Sequence, residues 1–81
     1  MKKNNILEES VRLSLEQYFS DLGDTDPSDL YDMVIRCVER PLLEVAMERA
    51  QQNQSKAAQM LGVTRNTLRK KLLFHKLIPQ N

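Results

Sequence analysis

Residues 53–72 read NQSKAAQMLGVTRNTLRKKL, and this stretch decides the fold. Asn53 is a strong helix-capping residue, because its side-chain oxygen accepts an orphan amide two or three positions on. A short helix is predicted from about Gln54 to Leu61, with Ala57, Ala58 and Leu61 turned inward. The two alanines let a second helix cross closely. Gly62 can take the positive φ that closes a tight turn, and Val63 is placed to plug the small core beneath it. Thr64 then caps a helix running from about Arg65 to Phe74 or His75, burying Leu68, Leu72 and Leu73. Helices of two or three turns are marginal alone in water, so this pair must lean on the helix before it, joining at Arg49 to Gln51. The pattern is a helix-turn-helix.

Its second helix carries the chemistry. Arg65 and Arg69 are four residues apart and share a face, with Asn66 and Lys70 alongside and Leu68 and Leu72 opposite. Arg65 falls in the first turn, the part of such a helix that reaches base edges, and a guanidinium matches guanine O6 and N7 with two parallel hydrogen bonds. Thr64, Thr67, Lys70 and Lys71 read as phosphate contacts, which orient the protein without specifying sequence. Asn53, Ser55 and Lys56 surround the start of the preceding helix, where free amides and the helix dipole also favour a phosphate. The partner implied is double-stranded DNA.

Charge division supports this. The net charge is +1, yet residues 1–48 carry five basic and eleven acidic side chains, whereas residues 49–81 carry seven basic ones and no acid. A helix macrodipole accounts for one or two terminal lysines but not for 33 residues without a carboxylate. Such asymmetry marks a polyanion-binding end.

Upstream, residues 1–5 form a polar stretch without pattern, read as a disordered tail. From about Ile6 to Leu22, Leu7, Val11, Leu15, Tyr18, Phe19 and Leu22 trace one helical stripe. Gly23 to Ser28 breaks it, with Gly suited to a helix end and Pro27 to a new start. A long second helix is predicted over about Ser28–Gln51, with Asp29 in its first turn and Leu30, Tyr31, Val34, Ile35, Val38, Leu42, Val45 and Ala46 inward. Pro41 lacks an amide hydrogen and crowds the carbonyl of Cys37, so the helix must kink or end there. The apolar period continues beyond it, which favours a kink.

The remaining features exclude more than they suggest. Aromatics are 5% of the chain and Trp is absent, so the core must come from aliphatic and Met side chains packed helix on helix. No apolar run spans a membrane, and the N-terminus lacks a signal-peptide pattern. A single cysteine allows no internal disulfide; Cys37 reads as a buried thiol and the chain as cytoplasmic. His75 has no Cys or second His at ligand spacing, Ser55 has no neighbouring base, and no cofactor, metal or catalytic site is expected. The reading is therefore not an enzyme. Two alternatives stay open, a helical adaptor whose basic face docks an acidic protein, and the DNA-binding output module of a larger activator.

The segments QYFSDL, DLYDMV, ERPLLEVAM and NQSKAAQMLGVTRNTLRKKL together resemble the Fis family (factor for inversion stimulation), small bacterial nucleoid-associated proteins. The last motif alone is also similar to the DNA-binding domains of NtrC-type activators. The resemblance covers about Leu7 to Phe74 and implies an all-α fold of four helices. Residues 6–51 would form dimerisation helices kinked at Pro41, intertwined between two subunits, and residues 52–81 the helix-turn-helix. It implies a homodimer core including Leu15, Tyr18, Phe19, Leu30, Val34, Val38, Pro41 and Leu42. It further implies recognition helices set closer than one duplex turn, so that DNA bends to meet both. Binding would be to degenerate sites with flanking guanines, read by Arg65, in the bacterial nucleoid, with regulation of transcription and scope for contact with RNA polymerase. Asn53, Thr67, Arg69, Lys70 and Lys71 match the family's DNA-proximal set. The chain departs from the pattern at Thr64, where an Asn is common, and at Gln51-Gln52, in place of Arg-Gly. It also begins too late to include the family's N-terminal β-hairpin arm, so recombinase contact is not expected.

Overall fold

The computed structural model describes residues 2–80 and is all-α, with no strand among them. Its helices are α1 (Lys2–Leu22), α2 (Leu30–Arg49), α3 (Gln54–Leu61) and α4 (Arg65–Phe74). The chain divides into two compact units, residues 1–30 and residues 31–81.

The first unit is dominated by α1, which begins at Lys2 rather than at Ile6, so residues 2–5, read as a tail, are helical. Met1 lies outside the described residues. On α1, Val11, Leu15, Tyr18 and Leu22 are half-buried, while Ile6, Leu7, Leu13 and Phe19 are exposed. Its side chains engage one another across single turns. Gln17 Nε2 donates to Asp21 Oδ1 at 2.9 Å, and Arg12 lies 3.6 Å from Glu16. Exposed pairs of this spacing add only a few tenths of a kcal/mol each, roughly 0.2–0.5. Gly23, with φ +67°, closes the helix as expected, its amide donating to the Phe19 carbonyl at 3.2 Å.

The second unit holds the core. Leu43, Ala46, Met47 and Ala50 of α2 and its end meet Ala57 and Ala58 of α3 and Leu68 and Leu72 of α4, with Leu61, Leu77 and Ile78 packed against them. α2 starts at Leu30, two residues later than predicted, because Asp29 takes a left-handed φ of +55° just before it. It runs unbroken through Pro41, so the helix does not end at Arg40. The inward face differs from the predicted one. Of that set only Ala46 is buried; Tyr31, Ile35, Val38, Leu42 and Val45 are exposed, and Leu30 and Val34 half-buried. The buried stripe is Leu43, Ala46, Met47 and Ala50, at steps of three, one and three. One helix thus carries two apolar stripes, and α3 and α4 cover only one of them.

Each of the last three helices ends in the same way. Gln52, Val63 and Leu77 donate their amides to carbonyls five residues back, Met47, Ala58 and Leu72, at 2.8, 3.1 and 2.8 Å. The residue before each is left-handed: Gln51 at φ +54°, Gly62 at +78° and Lys76 at +59°. This is the Schellman closure, which satisfies carbonyls that a helix end otherwise orphans. Only Gly62 meets it without a Cβ penalty.

Candidate nucleic-acid interface

The helix-turn-helix is built by two side-chain caps and one small core. Asn53 Oδ1 accepts the Lys56 amide at 3.1 Å and so begins α3. Thr64 Oγ1 accepts the Thr67 amide at 3.1 Å and so begins α4. Between them Ala57 and Ala58 are almost wholly buried and let α4 approach, while Leu68 and Leu72 fill the space beneath with no exposure at all. Val63 departs from expectation: it is 37% exposed and plugs nothing, because its amide, not its side chain, is the part used in the turn.

This core turns the chemical face of α4 outward. Arg65, Asn66, Thr67, Arg69 and Lys70 are all exposed, as are Asn53, Ser55 and Lys56 at the start of α3. The Thr64 hydroxyl is consumed within the cap, since it also donates to Thr67 Oγ1 at 2.9 Å. Asn53 likewise spends its carbonyl oxygen on the cap and keeps its amide NH₂ available. No Asp or Glu lies in residues 49–81 to neutralise the cationic surface from within.

Lys71 is different from its neighbours. Its Nζ donates to Glu39 Oε2 on α2 at 2.7 Å. The other oxygen of the same carboxylate, Oε1, accepts from His75 Nε2 at 2.8 Å, so the imidazole proton must reside on Nε2. The Lys71 ammonium, then the His75 ring, holds the Glu39 carboxyl below the usual carboxylate range, against the opposing effect of burial. Arg40 completes the clasp by donating from Nη1 to the His75 carbonyl, placing positive charge at the C-terminal end of α4. The Arg36 guanidinium lies 5.2 Å from the centre of the Phe74 ring, a cation–π contact between the same two helices.

Sequence reasoning missed this clasp. Charge pattern alone places Lys71 outward with Lys70 and gives His75 no partner. The signal was present, since Leu68, Lys71, Leu72 and His75 fall at steps of three, one and three, the spacing of one helical face. Two basic side chains on a buried stripe call for an acid opposite, and Glu39 supplies it. Cys37 is a second correction. It is exposed rather than buried, because it lies off the stripe that α3 and α4 cover. Among the described residues no group of His, Cys, Asp and Glu is placed to hold a metal ion. Nor, among the described residues, is any helix long and apolar enough to cross a membrane.

An all-α chain with capped helices meeting at a Gly turn, and a cationic second helix facing outward, defines a helix-turn-helix protein. Residues 34–73 match the family described as bacterial regulatory protein, Fis family. The chain is 54% identical over 74 residues to a Fis-like DNA-binding protein of Ralstonia nicotianae, covering 91% of this chain and 96% of that one. It is 54% identical over 72 residues to a Fis-like DNA-binding protein of Neisseria meningitidis, covering 89% and 91%. It is also 48% identical over 66 residues to the DNA-binding protein Fis of Proteus vulgaris, covering 82% and 71%. The chain therefore belongs to the Fis family.

Proposed function

We propose that this protein binds double-stranded DNA through α4 in the major groove, as a homodimer that bends its site and regulates transcription in the bacterial nucleoid. The observation that carries the reading is the outward face of α4. Arg65, Asn66, Arg69 and Lys70 project from a helix whose opposite face is fully buried, in a 33-residue segment free of acid. Such a face offers forked donors to guanine and point charges to phosphate, and it offers no nucleophile or general base. The relatives named as DNA-binding support the same assignment.

Dimerisation is supported by the uncovered stripe of α2. Tyr31, Ile35, Val38, Leu42 and Val45 follow steps of four, three, four and three and are all exposed, Tyr31 by 78% and Leu42 by 52%. That is the seam spacing by which helices pack on one another, and a stripe of large apolar groups left in water is unfavourable. Leu15, Tyr18 and Phe19 of α1, with Leu30, Val34 and Pro41, are assigned to the same dimer core. Paired reading heads would account for binding by a face that is small in one protomer, and for bending where their separation falls short of a helical turn.

The deciding experiment measures binding to a guanine-flanked duplex and to a scrambled one across a salt series, with wild type and Arg65→Ala. Expected are a steep fall in affinity with salt and, for Arg65→Ala, preference between the duplexes reduced by about five-fold or more, in line with about 1–3 kcal/mol for a bidentate guanine contact. Unchanged preference in the variant would remove the base-reading role, and no binding at low salt would favour an acidic protein as partner.

A further inference from the structure

The outward cations of α4 and the clasped one differ in what they can give to a polyanion. Among the described residues Arg65, Arg69 and Lys70 have no acidic partner, whereas Lys71 meets a carboxylate at 2.7 Å. Glu39 is not a casual surface partner. Its side chain is only 19% exposed, and its second oxygen is held by a His75 side chain that is 6% exposed. If Lys71 swung away, a largely buried carboxylate would lose its nearest cation and keep only a ring fixed in the core. Asp32, Arg36 and Glu39 line one side of a cleft whose other side is Lys70, Lys71 and Phe74; Arg36 is turned to the Phe74 ring, and the two carboxylates border the basic face directly. A phosphate reaching for Lys71 would approach the Glu39 carboxylate that holds it.

We propose that Glu39 withholds Lys71 from the DNA backbone and thereby sets the edge of the DNA-binding face on its α2 side. The inference rests on the proposed DNA binding and deepens it by dividing the basic residues of α4 into two groups. Arg65, Asn66, Thr67, Arg69 and Lys70 contact DNA; Lys71 positions α4 against α2. Glu39 is thus a specificity-setting residue that touches no nucleic acid. It trims the sequence-independent attraction to phosphate and leaves base reading by Arg65 a larger share of the binding.

The test is the salt dependence of binding to one duplex by the full chain, in wild type, Glu39→Gln, Lys71→Met and the double variant. Gln keeps the shape of Glu and one acceptor for His75, but turns an amide NH₂ toward Lys71 and frees it. The expected result is a log–log salt slope steeper in Glu39→Gln by about 0.9 for each protomer engaged, the value of one added phosphate contact. Lys71→Met alone should leave the wild-type slope unchanged, and the double variant should return to it. A merely structural role for Glu39 would lower affinity without steepening the slope. An unchanged or shallower slope in Glu39→Gln overturns the proposal. So does a Lys71→Met slope shallower by about 0.9 per protomer, which also decides the matter should Glu39→Gln fail to fold. If wild type binds no duplex, the proposed function itself fails, and this inference with it. Wild-type binding with unaltered slopes removes only the role of Glu39.

Discussion

The two apolar stripes of α2 have similar chemistry and opposite fates. Leu43, Ala46, Met47 and Ala50 are sealed by α3 and α4, while Tyr31, Ile35, Val38, Leu42 and Val45 remain in water within one chain. The difference lies in size as much as position. The sealed stripe contains two alanines, which let the short helices come close, and the open one carries only larger side chains. A helix-turn-helix of 18 helical residues needs a nearby, shallow surface to complete its core. The open stripe suits long helices meeting along their length. The sealed stripe therefore serves folding of the reading head, and the open one is free for the association proposed above.

This contrast can be broken at either stripe. The largest effect is expected at Leu68→Ala, which empties a fully buried position against the sealed stripe. It should cost about 2–5 kcal/mol, enough to melt the helix-turn-helix well below the wild-type temperature by circular dichroism. Val38→Asp combined with Leu42→Glu should act on the other stripe alone. Sedimentation equilibrium should show a shift from two chains to one, with DNA affinity lost although α3 and α4 keep their packing. Retained dimer mass in this variant would show that the open stripe is not the seam.

Smaller effects sharpen the comparison within the reading head. Asn53→Ala and Thr64→Ala each remove a side-chain cap seen in the structure and should each cost about 1 kcal/mol in thermal stability. Acid should weaken the α2–α4 clasp. The Glu39 carboxyl is held below its ordinary value in the folded protein, so its contribution is complete above the unfolded carboxylate range. It is lost as pH falls through the lower folded value. The melting difference between wild type and Glu39→Gln should accordingly be largest near neutrality and shrink toward pH ~3, below the ordinary carboxylate pKa.

Much of the reading head was legible because its determinants are local. A cap needs one side chain and an amide three residues on. The left-handed turn needs Gly62, and the inward face of α4 follows from Leu68 and Leu72. These features hold at the predicted positions, down to the limits of α3. The errors arose where two surfaces competed for one helix. Periodicity shows that α2 has apolar stripes but not which one α3 and α4 will cover. Cys37 follows the open stripe and is exposed with it in the single chain. Val63 failed for a related reason, since hydrophobicity could not show that the turn uses its backbone and leaves its side chain outside.

By itself, then, the sequence determined the helices, the caps, the turn and the concentration of positive charge at one end, because each depends on residues close together in the chain. The tertiary structure alone decided which stripe of α2 is closed and which stays open. It alone decided that Lys71 and His75 turn to Glu39 across more than thirty residues. Charge composition counts Lys71 with Lys70. Only the packing of α4 on α2, which brings a carboxylate within hydrogen-bonding distance of one and not the other, separates them.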